Sequence, residues 1–189
     1  MAFLLLFSPI INAGIIDTTP PGFTLSYFDF TGPDVAGGTF IADDTFLDSI
    51  TLSIGANNAG GTISAVLMST VGGIPSALLW SSAITAIPGV ATELVFNPDF
   101  ILTPGTEYFI GADSGQLTGA SGSFNLGFVN NLIPGQHWEN LNNGSWSSNT
   151  TYDISSRIVM IAGQVPLPST LALFALGFAA LGYRKRRKV

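Results

Sequence analysis

The chain predicts an all-β fold, an antiparallel sandwich of jelly-roll or immunoglobulin-like type, followed by a single C-terminal transmembrane helix. Three observations carry this. The body is rich in Gly, Thr, Ser, Asn, Ile, Val and Phe and poor in Lys, Glu and Arg, a composition that favours strands and tight turns over surface helices. Short apolar runs alternate with turn signals at intervals near ten residues, and no helical period persists between residues 14 and 164. The end of the chain is an unbroken apolar stretch with a cationic cluster directly behind it.

Taken in order, the first segment is "MAFLLLFSPIINAG". Its apolar run and small-residue exit read residues 1–13 as an export signal cut after Ala13. No Lys or Arg precedes the run, so either the true start codon lies upstream or the segment is a buried first strand. The next strands fall on "LSYFDF" and on "FLDSITLSIG", where Phe46, Ile50, Leu52 and Ile54 are taken to share the apolar face. In "TISAVLMST" Ile63, Ala65 and Leu67 share one side, with Ser64 and Val66 on the other. "ALLWSSAI", "TELVFN", "TEYFIGA", "SFNLGFV" and "DISSRIVMIAG" complete the set, separated by the turns "NNAGG", "VGGIP", "NPD", "TPGT", "DSGQ" and "NNGS". In "LTPGTEYFIGA" the Pro-Gly turn launches a core strand, with the Tyr108 hydroxyl expected near the surface. Residues 14–164 thus form one β-sandwich domain, large enough to bury a substantial core.

Charge is distributed unevenly. All twelve carboxylates lie between Asp17 and Asp153, and Arg157 is the one cation before residue 184. An acidic body repels phosphate backbones, so a nucleic-acid partner is excluded. Cysteine is absent, which removes disulfides, thiolate metal sites and thiol nucleophiles.

Few residues suggest chemistry. His137 is the sole histidine, and "GQHWENL" offers no nucleophile elbow; Glu93, Glu107 and Glu139 are not placed as a catalytic pair by any motif. The expectation is a protein that is not an enzyme. Asp43, Asp44 and Asp48 are weak calcium candidates, since carboxylate-rich loops are natural ligands for that ion, but the spacing of an EF-hand loop is missing. Solvated acidic loops explain the same letters, and no cofactor is otherwise expected. Trp138, Trp146 and Tyr152 sit in an Asn- and Gly-rich stretch where flat rings could stack on sugar, which makes them carbohydrate-binding candidates. The alternative for a tryptophan in a β-protein is packing.

The C-terminal segment, residues 165–189, divides into three. Val165, Pro166, Leu167, Pro168, Ser169 and Thr170 form a Pro-containing motif, residues 171–183 an apolar span, and Arg184, Lys185, Arg186, Arg187 and Lys188 a basic end. The span is short of the ~20 residues that cross a bilayer comfortably, but flanking cations snorkel and hold the last residues in the cytoplasm. The acidic body is left on the far side. This order of Pro motif, apolar span and basic terminus resembles the PEP-CTERM sorting signal, in a Val-Pro-Leu-Pro variant where Leu167 replaces the usual Glu. Leu167-Pro168-Ser169-Thr170 also resembles the start of a sortase signal, but Leu171 stands where that signal has Gly.

The succession of strands from Phe40 to Ala162 also resembles small jelly-roll ectodomains carried on surface-anchor tails. Together the resemblances imply export, anchoring in the inner membrane and processing by an exosortase-type enzyme, with a final place at the cell surface or in the extracellular matrix. A structural or adhesive role is the implied function. The alternative is a carbohydrate-binding module acting on exopolysaccharide.

Overall fold

The computed structural model describes residues 13–18, 26–30, 32–55, 60–130, 137–141, 144–149 and 152–162. These residues contain fifteen strands: β1 (Ala13–Asp17), β2 (Ser26–Phe30), β3 (Val35–Ile41), β4 (Phe46–Ile54), β5 (Thr62–Val71), β6 (Ile74–Ser81), β7 (Thr85–Ala86), β8 (Thr92–Phe96), β9 (Phe100–Ile101), β10 (Glu107–Asp113), β11 (Phe124–Asn130), β12 (His137–Asn140), β13 (Ser147–Asn149), β14 (Tyr152–Ile154) and β15 (Ser156–Ile161). Among the described residues every element is a strand, as the composition predicts.

The strands form two sheets with every named pair antiparallel, so the molecule is an all-β two-sheet sandwich. The eight-stranded sheet runs β1-β15-β4-β11-β14, with β2 on β11 and with β8 and β9 on β4. The seven-stranded sheet runs β13-β12-β3-β10-β5-β6, with β7 on β5. The chain passes between sheets at β2 to β3, β3 to β4, β4 to β5, β7 to β8, β9 to β10, β10 to β11, β11 to β12 and β13 to β14. Neighbours in a sheet are therefore mostly distant in sequence. The exceptions are β12 with β13 and the β5–β6 hairpin, the latter closed where Val71 faces Ile74 across Gly72 and Gly73. Both glycines have positive φ, 60° and 81°, the geometry of a two-residue turn that matches the strand twist.

Between the sheets lies the main core. Leu47, Ile50, Leu52 and Ile54 of β4 meet Ile63, Ala65 and Leu67 of β5, Ile110 and Ala112 of β10, and Phe124, Leu126 and Phe128 of β11. Phe30 stacks on Phe124 with centroids 4.7 Å apart. The face assigned to Ile63, Ala65 and Leu67 from their alternation is the face they bury. Tyr108 differs from expectation in a useful way: its ring is buried, and its hydroxyl accepts the Thr103 N–H at 3.0 Å, tying the Thr-Pro-Gly turn to the strand that follows.

One face assignment needs correction. Phe46 is only half-buried and Leu47 takes the core position instead. The cause is a bulge: Val159 pairs with Ser49 and Met160 with Leu47, so Asp48 has no opposite number and the alternation shifts by one.

A second, smaller core covers the other face of the seven-stranded sheet. Val35, Val66, Met68, Phe109 and Trp138 are buried there, with Leu117 and Trp146 packed against them. Two facing glycines make room for it. Gly37 of β3 pairs with Gly111 of β10, and a Cβ on Gly37 would stand 2.6 Å from the Gly111 Cα and 2.6 Å from the tip of the Phe109 ring. The ring lies where side chains would otherwise stand.

Gly37→Ala is expected to cost about 1–3 kcal/mol or more by overpacking. Gly119→Ala should be near neutral, because its new methyl would meet only the end of the Ile84 side chain, at 3.4 Å. Urea melts of the two variants against the parent check this contrast.

Candidate functional site

The sorting tail is the segment with the most specific signal, and the structure shows what it leaves from. The last strand, β15, is held on both sides. Residues 156–161 pair with β4 on one side and, over Arg157 to Ile161, with Asp17 to Ala13 of β1 on the other. Thr18 locks the far end of this clasp: its hydroxyl lies 2.6 Å from the Ile154 carbonyl and accepts the Ser156 N–H at 2.6 Å. At the near end Ala13 faces Ile161, so the described ends of the chain leave the domain side by side. The motif residues Val165, Pro166, Leu167, Pro168, Ser169 and Thr170, the span 171–183 and the cations Arg184, Lys185, Arg186, Arg187 and Lys188 lie outside the described residues. So do residues 1–12 of the expected export signal. Among the described residues no helix is long and apolar enough to cross a membrane.

Trp138 and Trp146 both pack on the second core. Trp138 is 8% exposed, opposite Gly37 in the second core. Trp146 is half-buried, with its ring edge-on to Phe109 at 5.3 Å. Tyr152 belongs to β14 and pairs with Asn130, and its side chain lies outside the described residues. The glycine pair that admits Phe109 also draws Trp138 inward.

The acidic candidates are dispersed too. Among the described residues no three His, Asp or Glu side chains converge in a way that could hold a metal ion, Asp43, Asp44 and Asp48 included. Asp48 is the bulged residue of β4 and Asp44 accepts the Thr45 N–H at 3.0 Å. Glu107 faces Ile41 and Glu139 faces Ala36 on β3, five positions apart, which is about 17 Å along a strand. Glu93 is on the other sheet. No pair of glutamates flanks one cleft.

Asp113 is a structural residue that the sequence did not single out. It is fully buried, and its carboxylate accepts the N–H groups of Gly115, Gln116, Leu117 and Thr118 at 3.0–3.2 Å and the Thr118 hydroxyl at 2.5 Å. A carboxylate read by four backbone donors winds residues 114–118 into a compact loop. Gln116 then donates to the Asn140 carbonyl at 2.7 Å, pulling that loop over the second core and onto β12. The signal was present in "DSGQ", an Asp followed by turn formers, but a turn motif does not tell how many donors its carboxylate will collect.

His137 lies on the opposite side of β12 from Trp138. Its ring meets Phe128 edge-on at 4.8 Å, and its Nε2 lies 3.7 Å from the Glu139 carboxylate. Nδ1 has no hydrogen-bond partner among the described residues. Burial pushes its pKa below the ordinary value of 6.5, while the Glu139 carboxylate and the Gly37 backbone pull the other way. The two described contacts are an aromatic edge and a carboxylate, neither of them a hydroxyl nucleophile. On the eight-stranded sheet a shallow polar cavity is lined by Asp17, Thr51, Ser53, Glu93, Ser156 and Arg157. The Ser53 and Ser155 hydroxyls sit 2.8 Å apart beneath it.

Comparison with known proteins bears on the tail. Residues 164–187 match the model of the PEP-CTERM protein-sorting motif. The chain therefore carries that sorting motif, beginning three residues after its last strand, and the motif implies export, membrane anchoring and exosortase processing. No curated protein and no solved structure matches the chain.

Two outcomes follow for the second sheet. Trp138→Ala should lose about 3–5 kcal/mol of stability, the range for emptying a buried tryptophan site, read in denaturant melts. His137 is neutral in the fold and takes up its proton more easily once unfolded. Its contribution to stability is therefore complete above about pH 6.5 and is lost as pH falls toward its lowered folded value. Melts at descending pH should show His137→Gln with a flatter acid limb than the parent just below pH 6.5.

Proposed function

We propose that this chain is a non-enzymatic cell-surface or extracellular-matrix protein with a structural or adhesive role. Its β-domain is delivered across the inner membrane, held by the tail, and released or transferred when an exosortase-type enzyme cuts near Pro166 to Thr170. The observation that carries the reading is the sorting motif at residues 164–187, placed directly behind the strand that completes the eight-stranded sheet. The strand orders add support. The orders β2-β11-β4-β8 and β3-β10-β5-β6 support a jelly-roll reading of the sandwich, with β15 added along β4 beside the single Leu126–Ile54 pairing of β11, and such an architecture suits presenting loops from a rigid body. The dispersed carboxylates and the buried lone histidine favour a non-catalytic role.

A second class, a module that binds exopolysaccharide, would have to engage its ligand through surfaces other than the buried Trp138 ring. Glycan-array binding by the intact protein that survives in Trp146→Ala would move that site elsewhere again.

The test is intact-mass analysis of the protein recovered from envelope and medium of its own host. Loss of about 20 C-terminal residues together with the first 13 is the expected result. A full-length cytosolic species overturns the reading.

A further inference from the structure

The outer face of the eight-stranded sheet is hollowed where its long side chains stand apart. Register fixes which ones. Across β1, β15, β4 and β8 one row reads Asp17, Arg157, Thr51 and Val95, and on the next outward row Glu93 faces Ser53. Asp17, Glu93 and Arg157 are exposed, whereas Thr51 and Ser53 between them are short, so charged side chains from three strands rim a floor of hydroxyls. With Ser156 these residues line a cavity of about 110 Å3 that opens to solvent. The floor is held in place. Ser53 and Ser155 are buried with their hydroxyls 2.8 Å apart, and the Ser155 backbone accepts the Ser53 N–H and donates to the Gly127 carbonyl.

We propose that this cavity is a saccharide subsite that takes one uncharged sugar ring of a polysaccharide. Its lining combines carboxylates that accept, a guanidinium that donates and hydroxyls that do both, which is the mixed set a ring of hydroxyls needs. Size agrees. With strands about 4.8 Å apart, Arg157 and Glu93 stand about 12 Å from each other at the backbone with Thr51 and Ser53 between them, room for a single ring. Val95, 60% exposed at the end of the first row, offers an apolar neighbour to the C–H face of that ring. Charge excludes acidic ligands. Two carboxylates against one guanidinium leave the cavity negative, in a body whose twelve carboxylates meet a single cation before residue 184, so a uronate or a phosphate is repelled. Asp17 and Glu93 stand about 16 Å apart at the backbone with Arg157 between them, beyond the ~5–9.5 Å that separates the carboxyls of a glycoside-cleaving pair, which suits holding a sugar without cutting it. One ring on an open face is bound weakly, and many copies displayed on one surface gain by multivalency. The inference deepens the adhesive reading proposed above and rests on it for the setting, while the cavity itself owes nothing to the tail.

The test is an amide-resolved NMR titration of the full chain, in micelles of a detergent without a sugar headgroup, with the methyl glycosides of glucose, galactose, mannose and rhamnose, each to about 100 mM. At least one should bind with a dissociation constant of about 1–10 mM and move the amides of Thr51, Ser53, Glu93 and Arg157. Glu93→Gln and Arg157→Gln should each raise that constant at least about tenfold, the loss expected when a hydrogen bond to a charged group is weakened. Asp43→Asn, an equal loss of charge at an exposed position outside the cavity, and Trp146→Ala should leave it unchanged. Unaltered amide dispersion in the variants separates lost binding from lost folding. No response to any of the four glycosides overturns the proposal. So does binding of methyl glucuronide, glucosamine or inorganic phosphate in their place, because the cavity would then select a charged class, and so does a response centred on Trp146. A failed titration leaves the mass analysis of the tail standing, and a full-length cytosolic species leaves the titration standing.

Discussion

The close approach of β3 and β10 at Gly37 and Gly111 is the constraint on which the second half of the molecule depends. Without side chains at that crossing, Phe109 lies down on the sheet and Val66, Met68, Val35 and Trp138 close around it. The seven-stranded sheet is then covered on both faces, one by the opposite sheet and one by its own loops. An antiparallel sheet commonly leaves one face to water. Covering the second face is what calls for the Asp113 loop, the Gln116 bond to β12 and the inward turn of Trp138. Tightening one backbone contact thus fixes the position of one loop and of one tryptophan on the neighbouring strand.

Much of the fold was legible because its strands obey a period of two. Ile63, Ala65 and Leu67 were placed correctly from alternation alone, since β5 is regular across the core. Phe46 was not, because Asp48 is an extra residue and a bulge leaves no mark in a hydrophobic pattern. β3 was missed for a related reason. "VAGGTFI" reads as a loop when glycine is counted as a strand breaker, and its glycines make sense only once β10 is known to press against them. The aromatic residues of "GQHWENLNNGSW" looked like a platform because sequence shows a ring's polarity and its neighbours, not whether a hole waits for it. Address was more readable than architecture: the tail is a linear signal, recognised in the order in which it is written.

Electrostatics divides the molecule in the same economical way. The stretch from Ser49 to Thr92 carries no carboxylate, and the one cation of the body, Arg157, faces Thr51 near the start of β15. The fold therefore rests on packing and backbone pairing, with hydroxyls such as Thr18 and Ser114 fastening loops to strands. No disulfide contributes, and the Nε2 of His137 sits 3.7 Å from the Glu139 carboxylate.

The pairing of β1 with β15 has a consequence for timing. Their contacts join the two ends of the domain, so the eight-stranded sheet cannot close until the last strand has arrived. Pairings so distant along the chain form slowly, because a large loop must be ordered before any contact rewards it. A polypeptide threaded through a narrow translocation channel has to stay unfolded while it passes. Topology here supplies that delay: the sheet is fastened only when β15 comes through.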